Sequence, residues 1–535
     1  MVLVKSSTMT SPNDATTSVT PEPDALRELT QAVAQLREEN RELKHQLAWF
    51  KKQMFGSKSE QRIIDNPHQH SLLTGPTQTL PEPAPVSIPA HERGTGKKQR
   101  PNDSVTDSGL RFGPDVPVQV VRLEPPELRG PDADQYRIIN IEVSHKLAQP
   151  NNGYTVIRYE KVVVQRKDSN ELITLPMPTQ VLDSSLADVS LLAGLLVDKF
   201  LYHLPLYRQH QRMAQMGITV ARASLTNWVK RAIELLRPIV EAQCRHVLLS
   251  KVLAMDETPI KAGLKQPGKM KQGYLWPIYG EADEVIFTYS DSRGRQHIEQ
   301  VLKQQFQGVL LTDGYAAYAR YAEKTQGIVH AQCWVHGRRH LFEAREQDVV
   351  ACDHGLNLIG QLYRVETQIE QQRLTGDKKH QYRLEHSKPI VDTFFAWCWQ
   401  QLDRSELTPR NPLRKALNYM VTREVELRVF LEDPDIPLDT NHLERAIRPI
   451  PLGRKNWLFC WTELGAEHTG LIQSLISTCK LHGVNPVDYL IDVLQRISVH
   501  PASRVEELTP RRWKDLFASD PMRSVIYPDV KIGVE

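Results

Sequence analysis

The feature that most constrains the fold of this chain is an alternation of apolar strands and helical segments that begins near residue 248. Five segments have the apolar content of buried strands, and a helical pattern, RGRQHIEQVLKQQF, separates the third from the fourth. The five segments are VLAMDETP, GYLWPIYG, EVIFTYS, GVLLTDGYAAY and GIVHAQCWVH. Strands that alternate with helices in this way form a mixed sheet flanked by helices. The sequence therefore predicts an α/β layer fold for this part of the chain.

Two of these predicted strands end on an aspartate, Asp256 in the first strand and Asp313 in the fourth. A carboxylate at the end of a buried strand is held rigidly and can still be reached from solvent, as a divalent-metal site requires. Magnesium takes oxygen ligands and usually keeps waters for substrate phosphates. Aspartate is also common in turns, and Asp313-Gly314 is a turn signal. Spacing alone therefore leaves a structural role open for both aspartates.

The N-terminal sequence predicts disorder followed by an oligomerisation helix. Residues 1–23 are rich in Ser, Thr and Pro, which predicts disorder. From 24 to 52, apolar residues are spaced alternately by three and four, as in a heptad repeat. The a positions are Leu26, Val33, Asn40 and Leu47, and the d positions are Leu29, Leu36, Leu43 and Phe50. This pattern favours a parallel two-stranded coiled coil, so we expect at least a dimer through residues 24–52; an amphipathic helix packed on its own domain is the alternative.

Three segments lie between the predicted coiled coil and the predicted sheet. Residues 53–110 contain Pro-rich and basic stretches and predict a flexible linker. Residues 111–185 contain alternating segments such as VQVVRL and YTVIRYEKVVVQ and predict a small β-rich module. Residues 186–247 predict helices, with a Gly-containing turn that is typical of a helix-turn-helix. A plain helical hairpin is the alternative for this last segment.

The second helix of that pair, which is expected to begin near Ala223, carries candidate DNA-binding residues. The N-terminal part of a recognition helix usually makes the base and phosphate contacts. The candidates in this part of the helix are Arg222, Ser224, Thr226, Asn227 and Lys230.

Composition limits the classes of protein to which the chain can belong. The net charge is only +3, so nucleic-acid binding would depend on local basic patches. The sequence contains neither 18 consecutive apolar residues nor the apolar core of a signal peptide, which predicts a cytoplasmic protein without a membrane partner. The six scattered cysteines are expected to be buried thiols, not disulfides.

A set of sequence blocks, specific when taken in order, runs through the second half of the chain. The blocks are LAMDET, LLTDGYAAY, HAQCWVHGRRHLFEA, DTNHLERAIRP, GRKNWLFC and SLISTCKLHGVNPVDYL. In these blocks the chain resembles the insertion-sequence-66 family of transposases. The resemblance extends to the predicted coiled coil at 24–52 (the zipper), to the MFGSKSE stretch after it and to the helix-turn-helix region. The resemblance implies an RNase H-like catalytic core with three carboxylates, Asp256 in MDET, Asp313 in TDGY and Glu444 in NHLERAIRP.

The resemblance also implies a domain order. The catalytic core would span 248–455, and a helical insertion at about 341–435 would occupy most of the 131 residues between Asp313 and Glu444. A C-terminal helical region at 456–500 and a tail at 501–535 would follow.

The implied chemistry is metal-dependent phosphoryl transfer on DNA. Asp256, Asp313 and Glu444 would hold two Mg²⁺ or Mn²⁺ ions. Activated water would cut the DNA at each end of the mobile insertion element (an element end), and the freed 3′-hydroxyl would attack target DNA. Arg448 and Lys455 could neutralise the DNA backbone. The partners would be element ends, target DNA, a second copy of the chain and accessory proteins of the same element, in a bacterial, nucleoid-associated protein.

Two other classes of protein remain open at this stage. An inactive DNA-binding regulator derived from a transposase would keep the zipper and the helix-turn-helix. A structure-selective nuclease with an RNase H-like fold would explain the carboxylates, but not the zipper or the C-terminal blocks.

A zinc site is a weaker hypothesis. Cys333, His336 and His340 have the spacing C-x2-H-x3-H, and His330 or Cys352 could supply a fourth ligand. A hydrogen-bonded structural cluster with Cys333 in the core is favoured, since no fourth ligand is identified. Relatives commonly carry paired cysteines between the zipper and the helix-turn-helix, whereas the first cysteine here is Cys244, so residues 111–185 cannot form a cysteine-ligated zinc site.

Overall fold

The computed structural model of the protein describes residues 104–105, 110–150, 153–302 and 306–527. The coiled coil expected at 24–52 lies outside the described residues, as does nearly all of the linker expected at 53–110. The described part consists of mixed sheets and many helices, which confirms the α/β prediction. None of its helices is long and apolar enough to cross a membrane.

Two sheets precede the central one. A three-stranded antiparallel sheet joins β1 (Ser104–Val105), β2 (Arg111–Phe112) and β7 (Ile218–Thr219). In a four-stranded sheet, β5 pairs with β4 in antiparallel fashion, while β3 and β6 pair with successive parts of β5. The strands of this second sheet are β3 (Val118–Leu123), β4 (Tyr136–Ala148), β5 (Thr155–Arg166) and β6 (Leu172–Thr174), with 3-10 turns at Pro126–Arg129 and Ala133–Gln135.

Three helices follow: α1 (Val189–Phe200), α2 (Leu206–Gln215) and α3 (Arg222–Val247). The sequence pattern predicted one continuous helix ending at Gly217, but the structure divides it into α1 and α2. The break lies between Phe200, where α1 ends, and Leu206, where α2 begins. In this stretch His203 has a φ of 58°, and Pro205 cannot donate a backbone hydrogen bond, so the helix does not continue. Gly217, with a φ of 81°, then begins the turn to β7 and α3.

The central sheet has six strands in the order β11-β10-β8-β12-β13, with β9 paired to β10. Strand β8 lies in the middle, antiparallel to β10 and parallel to β12, which is parallel to β13. The strands are β8 (Val252–Met255), β9 (Thr258–Gln266), β10 (Lys269–Gly280), β11 (Glu284–Ser290), β12 (Gly308–Thr312) and β13 (Ile328–Gln332). Helices α4 (Arg295–Leu302) and α5 (Ala316–Lys324) lie in the connections around β12.

The five strands predicted from the sequence are all present, but β9 was not predicted. It contains Pro259. Proline is tolerated in a strand where its nitrogen does not have to donate to a neighbour. The burial of β9 alternates from Thr258 to Ala262, as expected for a strand with one face in the core.

Helix α6 (Trp334–Glu343) follows β13 directly, and a group of helices separates it from the segment that carries Glu444. These are α7 (Val349–Gln371), α8 (Gly376–Tyr382), a π-helical turn (Arg383–Ser387), α9 (Lys388–Leu402), α10 (Pro412–Val421), α11 (Glu424–Arg428) and a 3-10 turn (Val429–Leu431). Together with α6 and with Val252, Leu311 and Ala331 of the central sheet, they form a hydrophobic core around Trp334 and Phe394. Buried Arg383 fastens this group, since its guanidinium donates to Glu366 and to the carbonyls of Phe430 and Ile436 at 2.9 Å.

The C-terminal helices return to the central sheet. They are α12 (Asn441–Ile447), α13 (Pro449–Trp457), α14 (Glu463–Leu481), α15 (Pro486–Arg496), a 3-10 segment (Ala502–Leu508) and α16 (Pro510–Leu516). Leu253 and Met255 of β8 share the largest core with α1, α3, α14 and α15. Ala254, which points to the opposite face, packs with α12 and α13. Helices thus cover both faces of the sheet.

Candidate active site

Asp256 and Asp313 follow neighbouring parallel strands in the middle of the central sheet. Ala254 of β8 pairs with Leu311 of β12, and each aspartate comes two residues after that pair. Paired strands lie about 4.8 Å apart. The two carboxylates therefore leave the sheet side by side at its carboxyl edge.

Local hydrogen bonds fix both aspartates. The backbone N–H of Asp256 donates to the carbonyl of Pro277 at 3.4 Å, and its Oδ1 accepts from the N–H of Glu257 at 2.7 Å. Oδ1 of Asp313 accepts from the N–H of Tyr315 at 2.9 Å, in the turn that leads into α5. Each aspartate thus orders the chain that follows it, as short acidic side chains do at turns.

Glu444 reaches the same edge through a buried contact between Cys333 and Thr440. Both the N–H and the hydroxyl of Thr440 donate to Cys333 Sγ at 3.3 Å, and the N–H of Cys333 donates to the carbonyl of Thr312 at 3.0 Å. Thr440 precedes α12, and its carbonyl accepts from the N–H of Glu444 at 2.9 Å. This contact fixes the start of the helix that carries Glu444 beside the ends of β12 and β13.

The three carboxylates act on one another electrostatically. The pKa of Asp256 is raised to about 7, first by burial and then by the negative charges of Glu257, Asp313 and Glu444. Glu444 keeps a third of its side chain exposed. The structure therefore places the three predicted site residues within electrostatic range of one another, although 131 residues separate the second from the third.

The donor chemistry of this cluster fits a divalent cation. Carboxylate oxygens are the ligands that Mg²⁺ and Mn²⁺ prefer. The repulsion that raises the pKa of Asp256 would be relieved by positive charge bound among the three groups. Within the described residues, no group of three or more His, Cys, Asp or Glu side chains is already arranged to hold an ion.

Glu257 is a fourth carboxylate at this edge, and its side chain is only 2% exposed. Its Oε2 accepts from the hydroxyl of Tyr318 at 2.7 Å, and its Oε1 forms an ion pair with Arg293. The Arg293 guanidinium lies 4.1 Å from the ring centre of Tyr315, whose hydroxyl donates to the Arg293 carbonyl at 2.8 Å. Both oxygens of Glu257 are thus engaged in a network that connects the loop after Asp256 to α5.

Two helices complete the surroundings of the carboxylates. On α6, Nε2 of His336 lies 3.8 Å and the guanidinium of Arg339 lies 3.9 Å from Glu444 Oε1. On the side of Asp313, α10 packs against Gly314, where an added Cβ would lie 2.5 Å from the hydroxyl of Tyr419. A glycine is therefore required next to Asp313.

Comparison with known families identifies the chain. Residues 184–468 match the model described as "Transposase IS66 family", a span that contains all three carboxylates and helices α1 to α3. The chain belongs to the IS66 transposase family. Residues 474–511 match the "IS66 C-terminal element", and residues 42–104 match "Transposase C of IS166 homeodomain". Membership in this family implies an enzyme that cleaves and transfers DNA.

Proteins similar to this IS66-family chain occur in Sinorhizobium fredii. The uncharacterized protein y4jD is 28% identical over 520 residues, which cover 91% of this chain and 97% of that protein. The uncharacterized protein y4hP is 28% identical over 71% of this chain and 72% of its own length. The uncharacterized protein y4qI is 29% identical over 68% of this chain and 69% of its own length.

The possible zinc ligands of this IS66-family chain are in structural contacts. Cys333 accepts the two hydrogen bonds from Thr440, and burial raises the pKa of its thiol. His330 Nε2 lies 2.9 Å from the hydroxyl of Thr312, and burial lowers its pKa to about 4. Cys352 is buried in the core of the helical group after β13, while His340 stacks on Tyr419 with ring centres 4.3 Å apart. These four side chains are engaged in packing or hydrogen bonds, whereas the buried Nδ1 of the fifth candidate, His336, has no hydrogen-bond partner in the part of the chain that the structure describes.

The structure places the predicted DNA-binding residues on two surfaces. On the first turns of α3, Arg222 and Asn227 are exposed and Ser224, Thr226 and Lys230 are half-buried, while Leu225, Trp228 and Val229 turn inward. Arg222 lies 5.8 Å from the ring centre of exposed Tyr207 on α2. Arg448, between α12 and α13, and Lys455 on α13 are also exposed.

Sequence patterns did not predict Glu257, Arg293, His336 or Arg339 as neighbours of the carboxylates. The resemblance to the IS66 family places no metal ligand at Glu257, and the block HAQCWVHGRRHLFEA was informative only about family and possible zinc binding. The only signal in the sequence was the position of these residues within family blocks, which does not say which way a side chain points.

Proposed function

We propose that this protein is an active transposase of the DDE type, and that Asp256, Asp313 and Glu444 form its catalytic triad. The observation that carries the proposal is the position of Asp256 and Asp313 at one edge of the central sheet with Glu444 near them, where burial first, and then the charges of Glu257, Asp313 and Glu444, raise the pKa of Asp256. Burying mutually repelling acids costs stability, so a role in the reaction explains the arrangement better than a role in the fold.

We also propose that the central sheet is an RNase H-like core. Support comes from its mixed polarity, with β8 in the middle between antiparallel β10 and parallel β12. Asp256 follows the central strand and Asp313 follows its parallel neighbour, so the first two acids come from rigid elements. The helices from α7 to α11 are then an insertion placed between β13 and the third acid.

In this proposal the triad would hold Mg²⁺ or Mn²⁺, two ions being expected, whose charge would stabilise the attacking and leaving oxygens of an in-line displacement. Asp256 and Asp313 supply ligands whose positions are fixed by the sheet. Glu444 supplies a more exposed ligand from α12. Arg448 and Lys455, which follow Glu444 in the sequence, bind the DNA backbone.

The reaction would occur in two phosphoryl transfers. In the first, water gives up a proton as its oxygen bonds to phosphorus at an element end, the bond from phosphorus to the 3′ oxygen breaks, and that 3′ oxygen takes up a proton to leave as a 3′-hydroxyl. In the second, this hydroxyl gives up its proton as its oxygen bonds to a target phosphorus, the bond from that phosphorus to the target strand's own 3′ oxygen breaks, and the departing oxygen takes up a proton. Neither transfer requires a covalent bond to the protein.

Element ends would bind to α2 and α3. Support comes from the basic and polar residues on the first turns of α3 and from a contact between α2 and α13, where Arg208 donates to Asn456 at 3.4 Å. Asn456 is next to Lys455, so the surface of the helix pair continues toward the segment that follows Glu444.

Conservative variants of the triad test the proposal. Asp256→Asn, Asp313→Asn and Glu444→Gln should each abolish cleavage and joining of DNA that carries the ends of the element, because each removes an anionic ligand at nearly constant size. DNA binding should remain. The measurement is cleavage on labelled element-end duplexes in Mg²⁺, with and without a chelator.

Glu346→Gln is the matched control, since Glu346 is an exposed carboxylate on the connection between α6 and α7, away from the carboxylate cluster. It should cleave like the parent. Full activity in any triad variant would exclude that residue from the site. Binding without cleavage by the parent protein would indicate an inactive regulator, and a preference for branched DNA would indicate a structure-selective nuclease.

A further inference from the structure

Helix α6 presents a basic side chain to the carboxylate cluster. The helix begins directly after β13, and the N–H of Cys333 donates to the carbonyl of Thr312, so its first turn starts beside Asp313. One turn further, the guanidinium of Arg339 lies 3.9 Å from Oε1 of Glu444. The helix thus brings a permanent positive charge to the third carboxylate.

The neighbouring arginines differ from Arg339 because their guanidinium groups are engaged with the protein. Arg293 is paired with buried Glu257. Arg423 donates to the carbonyls of Tyr419 at 3.2 Å and Gly314 at 3.4 Å. The pair between Arg339 and Glu444 is longer than a hydrogen bond, and 53% of the Arg339 side chain is exposed.

Fold stability does not account for this placement. An ion pair between side chains as exposed as these contributes about 0–1 kcal/mol. A guanidinium that remains accessible next to Glu444 instead fits an anionic ligand that approaches the carboxylate cluster. The planar guanidinium matches the oxygens of a phosphate group.

We infer that Arg339 is a further catalytic residue, which binds the non-bridging oxygens of the DNA phosphate that is cleaved. The inference rests on the proposed function, because it requires the scissile phosphate to lie at Asp256, Asp313 and Glu444. Negative charge on those oxygens must be stabilised while the water oxygen bonds to phosphorus and the 3′ oxygen leaves. A fixed donor at that position acts on the transition state more strongly than on bound DNA.

Arg338 supplies a matched control. It is the adjacent residue, carries the same charge and is also exposed. Successive residues of a helix are rotated by about 100°, and Arg338 lies near Tyr363, where its charge opposes the rise in the tyrosine pKa that burial causes. Replacing Arg338 therefore removes one positive charge from α6 without removing the charge next to Glu444.

The experiment compares Arg339→Ala, Arg339→Lys and Arg338→Ala in the full chain. Single-turnover cleavage of a labelled element-end duplex in Mg²⁺ gives the rate of the chemical step, and a binding titration of the same duplex gives the affinity. Arg339→Ala should lower the cleavage rate about 100-fold or more, while its DNA affinity changes only a few-fold. Arg339→Lys should recover part of the rate, and Arg338→Ala should cleave within about threefold of the parent.

Thermal melting separates this role from a structural one, since all three variants should melt with the parent. Equal loss of cleavage in Arg338→Ala and Arg339→Ala would overturn the inference, because only general charge would then matter. A cleavage rate for Arg339→Ala close to that of the parent would also overturn it, and if Asp256→Asn is inactive in the same assay the proposed function survives. If the parent protein itself does not cleave the duplex, both the inference about Arg339 and the proposed function are overturned.

Discussion

The folded protein disfavours the charged form of the Asp256 side chain. Its pKa is about 7 in place of the ordinary 3.8, with burial as the main cause and the neighbouring carboxylates as the next. Between these two pH values the folded protein binds the proton more tightly than the unfolded chain does. Stability contributed by this group therefore falls as the pH rises from about 4 to 7 and stays low above that range.

Removing that charge should stabilise the metal-free protein. At pH 8, Asp256→Asn should melt about 1–4 °C above the parent, because asparagine carries no charge to bury. At pH 4 the two should melt together, since Asp256 is then protonated in the folded state. The measurement is thermal denaturation in a chelator at both pH values, with Glu346→Gln as the control.

Added Mg²⁺ should reverse the order at pH 8, because an ion that binds the folded parent stabilises it and the variant lacks a ligand. A variant that melts below the parent in the chelator at pH 8 would contradict this prediction, since it would mean that the Asp256 charge is favourable where it lies.

Single site residues could be predicted from the sequence where a residue type suited to metal binding lies at the end of a predicted strand or within a family block. Asp256 and Asp313 were candidates because each ends an apolar strand, with a structural role left open until the family resemblance was considered, and Glu444 could be proposed only from that resemblance. Glu257 could not be assigned a role, because its partners Arg293 and Tyr318 are distant in the sequence and only the fold brings them together. The same reason applies to Arg339 and Glu444.

Among the elements, α3 is a helix whose first turns and last turns face different surroundings. Its start carries the predicted DNA-binding residues and packs beside α2, whereas its middle is buried through Trp228, Ile233 and Leu236 in the largest core. The middle of the helix is therefore not available to enter a DNA groove, whereas its start is.

The triple replacement of Arg222, Asn227 and Lys230 by Ala should weaken binding to element-end DNA and leave the fold intact. A lost base contact should cost about 1–3 kcal/mol and relax specificity, whereas a lost phosphate contact should weaken binding to all sequences. The measurement is a binding titration on element-end and unrelated duplexes at two salt concentrations.

Arg245→Ala is the control for this variant, since Arg245 is exposed on the last turn of the same helix. With a rise of about 1.5 Å per residue, it lies about 34 Å from Arg222. It should bind like the parent. Unchanged binding by the triple variant would move recognition to another segment, with residues 111–185 the next to test.

Prediction of elements from sequence was most reliable where the pattern was long and apolar. The strands that became β8, β10, β11, β12 and β13 were predicted, while β9, which contains Pro259, was not. The division of one predicted helix into α1 and α2 depended on His203 and Pro205, whose effect is weaker in the sequence than the apolar pattern around them.

At the scale of the whole molecule, the chain is expected to assemble through its N-terminal heptads. We predict that the full-length protein is at least a dimer, with Asn40 at an a position favouring two parallel strands. Deletion of residues 1–52 should lower the mass measured by light scattering to that of a single chain or a smaller assembly. Deletion of residues 1–23 alone is the control. It should leave the number of chains in each assembly unchanged.

Persistence of the same copy number after deletion of residues 1–52 would contradict the prediction and place the main contact elsewhere. The match of residues 42–104 to the family's homeodomain model overlaps the end of these heptads. A DNA-binding titration on the truncated protein would therefore report on that segment as well as on assembly.

The long path from β13 to α12 also has a consequence for the order in which the protein is made. During synthesis Asp313 leaves the ribosome 131 residues before Glu444. Translation at about 5–20 residues per second makes this interval roughly 7–26 s. The helices around Trp334 and Phe394 are synthesised in that interval, before Thr440 can reach Cys333. Under the proposed mechanism, a nascent or prematurely terminated chain would have two of its acids and could not cut the genome that encodes it.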